Sequence, residues 1–274
     1  MKVNCAAFTH QGLKRSNNED SILCDGWVRN KPMSAPFLVL DDCVLTNVCV
    51  FAVADGLGGH SSGEIASQFV VSRISNLIGN QVNEESLSKE LQSIHRELFD
   101  ISSSVLDYRG MGSTVAGLVA SPLDKTFLFH VGDSRIYRRE DRFLQLMTKD
   151  DRVEPQGYGE TDISLPTSSL LLQCLGGVIE FSQISPHIIT LEASEKTEVF
   201  LICSDGLSDM LSQDEIEESM SENLEQWILN LFEKVCNAGA LDNISILIVE
   251  VKPESSPPDL TDSPQSDTSL ETLG

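Results

Sequence analysis

Six apolar segments along the chain predict β-strands. They are rich in Val, Ile and Phe, most are bounded by Gly or Asp, and several are joined by short turns, as in antiparallel hairpins. We predict strands over residues 48–54, 113–120, 126–131, 135–138, 198–203 and 244–251.

Three longer segments carry apolar residues at intervals of three and four, which indicates amphipathic helices over residues 65–77, 87–105 and 224–235. Gly239 follows the third segment and is expected to end its helix. Because strands and helices occur in separate runs, the pattern favours an α+β fold of layered, largely antiparallel sheets over a doubly wound parallel one.

No Pro, Gly or Ser-rich linker interrupts residues 1–251, which we interpret as one domain. Residues 252–274 are rich in Pro, Ser and acidic residues and are predicted to be a disordered acidic tail.

The net charge of the chain limits the classes of molecule that it is expected to bind. The 274 residues include 19 Lys and Arg against 42 Asp and Glu, a formal net charge of −23, which argues against binding to nucleic acid or to anionic membrane surfaces. No apolar run approaches the roughly 20 residues of a membrane span, so no membrane insertion is expected. The seven cysteines form no C-x-x-C pair and are predicted to be reduced thiols in a cytoplasmic protein.

Acidic residues recur where the predicted strands begin or end. Asp55, Asp133 and Asp205 follow apolar runs, and Asp242 precedes the last one. Each could simply form a turn or cap a helix. If they converge, each pair 4 Å apart costs about 4 kcal/mol at an effective dielectric constant of 20, and a hard divalent cation would relieve that repulsion.

Other chemistries are excluded by spacing. The segment AVADGLGGHSSGEIA places Glu64 where a phosphate-binding loop needs Lys, and Leu57 and Gly59 where a calcium loop needs oxygen ligands. No Cys is followed six residues later by Arg, as a cysteine phosphatase requires. Neither D-x-D-x-T nor G-x-S-x-G occurs, which excludes the aspartyl-phosphate and Ser-His-Asp hydrolase signatures.

Six short motifs, taken in order, resemble the PPM family of metal-dependent serine/threonine phosphatases, the type 2C group, in its bacterial form. The family resemblance covers roughly residues 15–251. It implies a four-layer α-β-β-α sandwich of two antiparallel sheets flanked by helix pairs, with a binuclear manganese or magnesium centre at one end. The motifs are R-S-N-N-E-D from Arg15, D-G-L-G-G-H from Asp55, G-S-T from Gly112, G-D-S-R from Gly132, S-D-G from Ser204, and D-N from Asp242.

The same resemblance implies roles for individual residues. Asp55 would bridge both ions with help from the Gly56 carbonyl, and Asp205 and Asp242 would complete the first ion. Glu19 and Asp20 would hold metal-bound waters. Asp133, together with Asp205, would form a weaker third metal site, and Arg15 would bind the substrate phosphate.

Two departures from the family pattern stand out. Leu57 lies where many eukaryotic members have a histidine, a candidate general acid, and leucine has no proton to donate. The segment 149–177 lies where the family has a variable flap over the site, but it lacks the bacterial D-H-S and H-P-x-x-N signals. It is polar and rich in turn formers, so we expect a mobile flap of unusual specificity.

The function hypothesis is metal-dependent hydrolysis of phosphoserine and phosphothreonine in proteins. The expected partners are phosphoproteins, including a serine/threonine kinase and its substrates, and the expected state is a monomer. Two alternatives stay open: a catalytically silent, metal-binding signalling scaffold, and a phosphatase of small phosphoesters.

Overall fold

The computed structural model describes residues 1–58, 62–122, 125–153 and 170–253. Fifteen strands occur in these residues. Their bounds are β1 Lys2–His10, β2 Ser21–Cys24, β3 Trp27–Arg29, β4 Phe37–Val44, β5 Cys49–Ala54, β6 Gly56–Leu57, β7 Gly112–Ser113, β8 Val115–Ala120, β9 Thr126–Val131, β10 Arg135–Glu140, β11 Phe143–Leu146, β12 Leu175–Gly176, β13 His187–Leu191, β14 Glu198–Cys203 and β15 Ile244–Lys252.

The strands form two six-stranded sheets and one small sheet. The first has the order β11-β10-β14-β15-β1-β4, the second β13-β9-β8-β5-β2-β3, and the small one β12-β7-β6. Neighbouring strands in all three are antiparallel.

Two long helices cover one sheet, and one long helix covers the other. Leu87, Leu91, Ile94 and Leu98 of the second helix are fully buried, as their spacing predicts. The helices are α1 Ser62–Ile74, α2 Glu84–Ser104, α3 Asp205–Ser208, α4 Gln213–Glu217 and α5 Leu224–Asn237, and short 3-10 turns lie at Ser75–Leu77 and Leu106–Tyr108.

Three hydrophobic cores separate these layers. One lies between α1, α2 and the second sheet, one between the two sheets, and one between the first sheet and α5. Three cores require four layers, which confirms the predicted α-β-β-α sandwich. The flanking helices differ from the prediction in one respect: a pair covers the second sheet, whereas the first is covered by α5 and the two short helices α3 and α4.

The apolar pattern missed several strands, most notably β1 and β4. β1 lies between β15 and β4 and is mostly buried, yet its apolar run, Cys5–Phe8, is short, consists largely of small residues and has polar residues on both sides. β4 is an edge strand with mostly half-buried or exposed residues, and its register with β1 shifts twice. Pairing between distant segments, and not local hydrophobicity, determines both strands.

Strand ends of both sheets meet at one end of the sandwich. In the second sheet Ser21 pairs with Ala54, so the residues just outside that pair, Asp20 and Asp55, lie at the same end. In the first sheet Cys203 pairs with both Arg135 and Ile246. The acidic residues that adjoin these positions in the chain are Asp133, Asp205 and Asp242.

Two predicted segments lie largely outside the described residues. The last strand ends at Lys252, and residues 254–274 of the predicted tail are not described. Of the predicted flap, residues 149–153 and 170–177 are described and 154–169 are not. Among the described helices, none has an apolar stretch that could cross a bilayer.

Candidate metal centre

Five aspartates converge at this end of the sandwich. Asp55 is the centre of the group, because the charges of the other four all act on its carboxyl group. They come from the ends or starts of different strands and are Asp20, Asp133, Asp205 and Asp242. Convergence, which sequence spacing alone could not establish, is therefore a property of the fold.

Burial and mutual repulsion make this cluster unfavourable when it is fully ionised. Burial, followed by repulsion from the neighbouring carboxylates, raises the pKa of Asp55 well above its usual range. Burial likewise raises the pKa of Asp20 and of Asp205 to about 7 in each case. The pKa of Asp133 is also raised by burial, although the neighbouring Arg152 opposes the shift. Divalent cations would reverse these shifts by stabilising the charged forms.

Asp20 presents an unpartnered oxygen to the cluster. Its side chain is fully buried, and the Ser204 hydroxyl donates a hydrogen bond of 2.8 Å to Oδ2. Oδ1 has no hydrogen-bond partner although it is buried. An orphaned buried carboxylate oxygen costs free energy unless an ion or a water satisfies it.

The backbone around Asp55 is held by the G-S-T segment. The Asp55 amide donates to Thr114 Oγ1 at 3.2 Å, and the Thr114 amide donates to the Asp55 carbonyl at 2.9 Å. The next residue, Gly56, pairs with Ser113. A side chain at Gly56 would clash with the Gly63 carbonyl and come within 2.6 Å of the Glu19 carbonyl, so only glycine fits between them.

Asn243 ties the Arg15–Asp20 loop to the start of β15. Its side-chain amide donates to the carbonyls of Gln11 and Asn17, at 3.0 and 2.8 Å, and its Oδ1 accepts from the Glu19 amide at 2.8 Å. These bonds place Glu19 at the cluster, and explain why asparagine follows Asp242 in the sequence. The Glu19 carboxylate accepts a hydrogen bond from the Asn17 side chain.

Arg15 lies at the exposed edge of the cluster. Its guanidinium is 2.6 Å from Asp242 Oδ2, and the side chain is 56% exposed. The hydrogen bond to Asp242 raises the pKa of Arg15, and the charges of Glu19 and Asp55 add to that shift. The structure therefore brings together all eight predicted site residues at one end of the sandwich.

The motifs did not predict a second cation in the cluster, Arg152. Its guanidinium contacts Asp133 Oδ2 at 2.6 Å, Asp209 Oδ1 at 2.8 Å and Asp205 Oδ2 at 3.2 Å. Arg152 lies in the segment Asp150–Arg152, where the D-H-S signal of bacterial members is absent. The absence of the D-H-S signal could be read from the sequence, but the contacts of Arg152 with the aspartates could not.

The amino-acid sequence of this chain is similar to sequences of known proteins. A family model described as protein phosphatase 2C matches residues 40–242. The serine/threonine protein phosphatase PstP of Mycobacterium tuberculosis is 29% identical over 256 residues, which cover 90% of this chain and 44% of that protein. The chain thus spans less than half the length of this curated relative.

Two further matches extend over nearly the whole of the proteins compared. The serine/threonine phosphatase stp of Listeria monocytogenes is 28% identical over 263 residues, which cover 88% of this chain and 93% of that protein. The solved catalytic domain of serine threonine protein phosphatase PstP, in complex with two manganese ions, superimposes with a TM-score of 0.67 at 27% identity. That match covers 92% of this chain and 99% of the solved one.

Proposed function

Because this chain belongs to the protein phosphatase 2C family, we propose that it hydrolyses phosphoserine and phosphothreonine in proteins, using a pair of manganese or magnesium ions. The observation that carries the proposal is the buried, mutually repelling aspartate cluster with an exposed arginine at its edge.

The residues of the cluster fit a pair of hard divalent ions. All the side-chain ligands are carboxylates, and hard cations select oxygen donors. Asp20 keeps one oxygen without a partner, and Gly56 lets the Gly63 and Glu19 carbonyls pack against the backbone next to Asp55. Asp55 would be shared between the ions, with the Gly56 carbonyl, Asp205 and Asp242 as further ligands. Glu19 and Asp20 would hold metal-bound waters.

When bound, a pair of divalent cations would lower the pKa of a water molecule toward about 7 and so would supply the nucleophile at neutral pH. The protein's own contribution is to fix the carboxylates before substrate arrives. Asp55 is held through its amide and carbonyl by Thr114, and Asp20 through its side chain by Ser204. Since the ligands adjoin strand ends, their backbone positions are fixed by the sheets.

Arg15 is suited to bind the substrate phosphate. A guanidinium can donate two parallel hydrogen bonds to phosphoryl oxygens. Its exposure leaves it accessible to a phosphorylated side chain, and its pairing with Asp242 keeps it beside the metal ligands. The positive charge also offsets the repulsion that the aspartates would exert on an approaching phosphate.

Leu57 supplies no proton to the leaving group. It is half-buried in β6, next to the Asp55 ligand, and its side chain has no ionisable group. The departing serine or threonine alkoxide would therefore take its proton from water or from another group.

Manganese-dependent hydrolysis of an aryl phosphate, measured on the full chain and on Asp55→Asn, tests the proposal. Wild-type turnover that chelator abolishes, and that Asp55→Asn lacks, separates an enzyme from a metal-binding scaffold. A panel of phosphoserine and phosphothreonine peptides, compared with sugar and nucleotide monophosphates at equal concentration, separates protein substrates from small phosphoesters. Higher kcat/KM on the small phosphoesters would contradict the protein assignment.

A further inference from the structure

The Arg152 guanidinium lies in the middle of three carboxylates. Its three nitrogens contact Asp133, Asp205 and Asp209, each through a separate hydrogen bond of 2.6–3.2 Å. The side chain is only 15% exposed and Asp133 is 6% exposed. The Arg152–Asp133 pair is therefore largely desolvated, whereas the Asp205 and Asp209 side chains are 26% and 45% exposed. Hydrogen bonds between charged groups are roughly twice as strong as neutral ones, although burial of the charges itself costs free energy.

The chain just before Arg152 is anchored on the same side of the site. Asp150 accepts hydrogen bonds of 3.0 and 2.8 Å from the Arg135 guanidinium. The Asp151 amide donates to the Gly132 carbonyl at 3.0 Å, and Asp151 Oδ2 accepts from the Gly132 amide at 2.9 Å. Because Gly132 immediately precedes Asp133, these bonds hold Arg152 beside its principal partner.

The chain after Arg152 is paired as well. The Val153 amide donates to the Leu170 carbonyl at 2.9 Å, and the Leu172 amide donates to the Asp151 carbonyl at 2.7 Å. Arg152 and Leu171 form an antiparallel bridge between these bonds. Backbone hydrogen bonds on both sides therefore fix the position of the Arg152 backbone, which keeps its guanidinium within reach of the cluster.

A pair of stacked histidines, His130 and His187, lies beside Asp151. His187 Nε2 lies 2.9 Å from Asp151 Oδ1, and Gln173 donates to Asp151 Oδ2 at 2.9 Å. The rings of His130 and His187 stack 4.4 Å apart and only 8° from parallel. These contacts orient Asp151. One ligand atom from each of His130, Asp151 and His187 lies within 4.8 Å of the other two.

A third metal ion does not fit while Arg152 is in this position. The resemblance implies such an ion between Asp133 and Asp205, but the guanidinium already contacts the Oδ2 atom of each. Hard divalent ions bind carboxylate oxygens at about 2.0–2.6 Å, so the ion and the guanidinium would compete for the same atoms and repel each other.

We propose that the Arg152 guanidinium takes the place of a third metal ion in this chain, and that the metal centre of the chain binds only two ions. This inference rests on the proposed two-ion function. It follows from a local feature of the sequence: the segment 149–177 lacks the bacterial D-H-S signal, and Arg152 within it supplies a positive charge.

Counting bound manganese tests the proposal without measuring activity. The full-length chain is titrated with Mn²⁺, and free Mn²⁺ is followed by its paramagnetic resonance signal after equilibrium dialysis. Wild type is expected to bind two ions, and Arg152→Ser three. The control Arg142→Ser removes the same charge from an exposed position and should still bind two. Removing the competing cation should strengthen binding of the third ion about tenfold or more.

A double variant assigns the new site. Arg152→Ser combined with Asp133→Asn should return the count to two, whereas a count of three would place the extra ion elsewhere and overturn the proposal. A wild-type count of three, or a folded Arg152→Ser that binds only two, overturns it as well. If wild type binds no manganese, the proposed function itself fails, which is a different result.

If Arg152→Ser does not fold, a structure of the wild-type protein tests the proposal instead. A crystal structure of wild type grown with manganese should show Arg152 on Asp133 and Asp205. An ion on those two carboxylates, with the arginine displaced, would overturn the proposal.

Discussion

Replacing Asp205 with asparagine should stabilise the metal-free protein while it destroys the metal centre. In the folded chain the pKa of Asp205 rises from 3.8 to about 7, first because of burial and then because of repulsion by Asp133, Asp242 and other carboxylates. At 1.36 kcal/mol for each pKa unit, ionised Asp205 lowers the free energy of unfolding by up to about 4 kcal/mol at pH 7.

The expected gain in the free energy of unfolding is smaller than this upper limit. The Asp205 side chain is 26% exposed, and asparagine forfeits the 3.2 Å contact with Arg152, which keeps Asp133 and Asp209. We expect Asp205→Asn to raise the free energy of unfolding in chelator at pH 7 by about 1–3 kcal/mol, or the melting temperature by about 2–4 °C for each kcal/mol.

The pH dependence has a definite sign. A carboxyl group whose pKa is raised on folding binds more protons in the folded state between pH 4 and 7, so the free energy of unfolding falls as the pH rises through that window. Urea unfolding in chelator at pH 5 and pH 7 should therefore show a smaller difference for Asp205→Asn than for wild type. Comparison of the two proteins cancels the titrating groups remote from the cluster, and the difference reports Asp205 together with the carboxylates that it repels.

Manganese should reverse the ranking. At a hundredfold excess over the dissociation constant, a ligand that binds only the native state stabilises it by about 2.7 kcal/mol, and Asp205→Asn should lose most of that gain together with its activity. The control Asp141→Asn changes an exposed residue with a φ of 53°, a conformation that asparagine also adopts. A variant less stable than wild type in chelator at pH 7, or one with a wild-type manganese shift, would refute the reasoning.

Three further predictions concern the rest of the chain. Arg15→Ala should raise KM for phosphoesters well beyond any change in manganese affinity, since we propose that the guanidinium binds the substrate phosphate. Unchanged kinetics would instead indicate an exposed ion pair with Asp242, worth at most about 1 kcal/mol. Iodoacetamide should leave manganese-dependent activity intact, because burial raises the pKa of Cys203 to about 12 and of Cys174 to about 11, and the proposed nucleophile is a metal-held water. Loss of activity that follows thiol modification would contradict this expectation. A chain that ends at Pro253 should keep aryl phosphatase activity, since β15 ends at Lys252; lost activity at an unchanged melting temperature would contradict that expectation.

The amino-acid sequence alone was sufficient for the elements with strong local periodicity. The apolar spacing of residues 87–105 predicted α2, and the runs at 126–131 and 198–203 predicted β9 and β14 with their observed bounds. In these segments each residue's environment repeats with the period of the element, so local pattern and tertiary burial agree. The motif order was equally local information, and it sufficed for the family and for the layered α+β class.

Tertiary structure alone decided the pairing of β1 with β4 and the charge balance of the site. β1 is an interior strand because both its edges pair with other strands, although only the short apolar run Cys5–Phe8 indicates a strand in the sequence. Arg152 reaches Asp133, Asp205 and Asp209 across 19, 53 and 57 residues of chain. Burial and ion pairing depend on which distant atoms the fold brings within a few ångströms, and no periodicity along the chain encodes that distance.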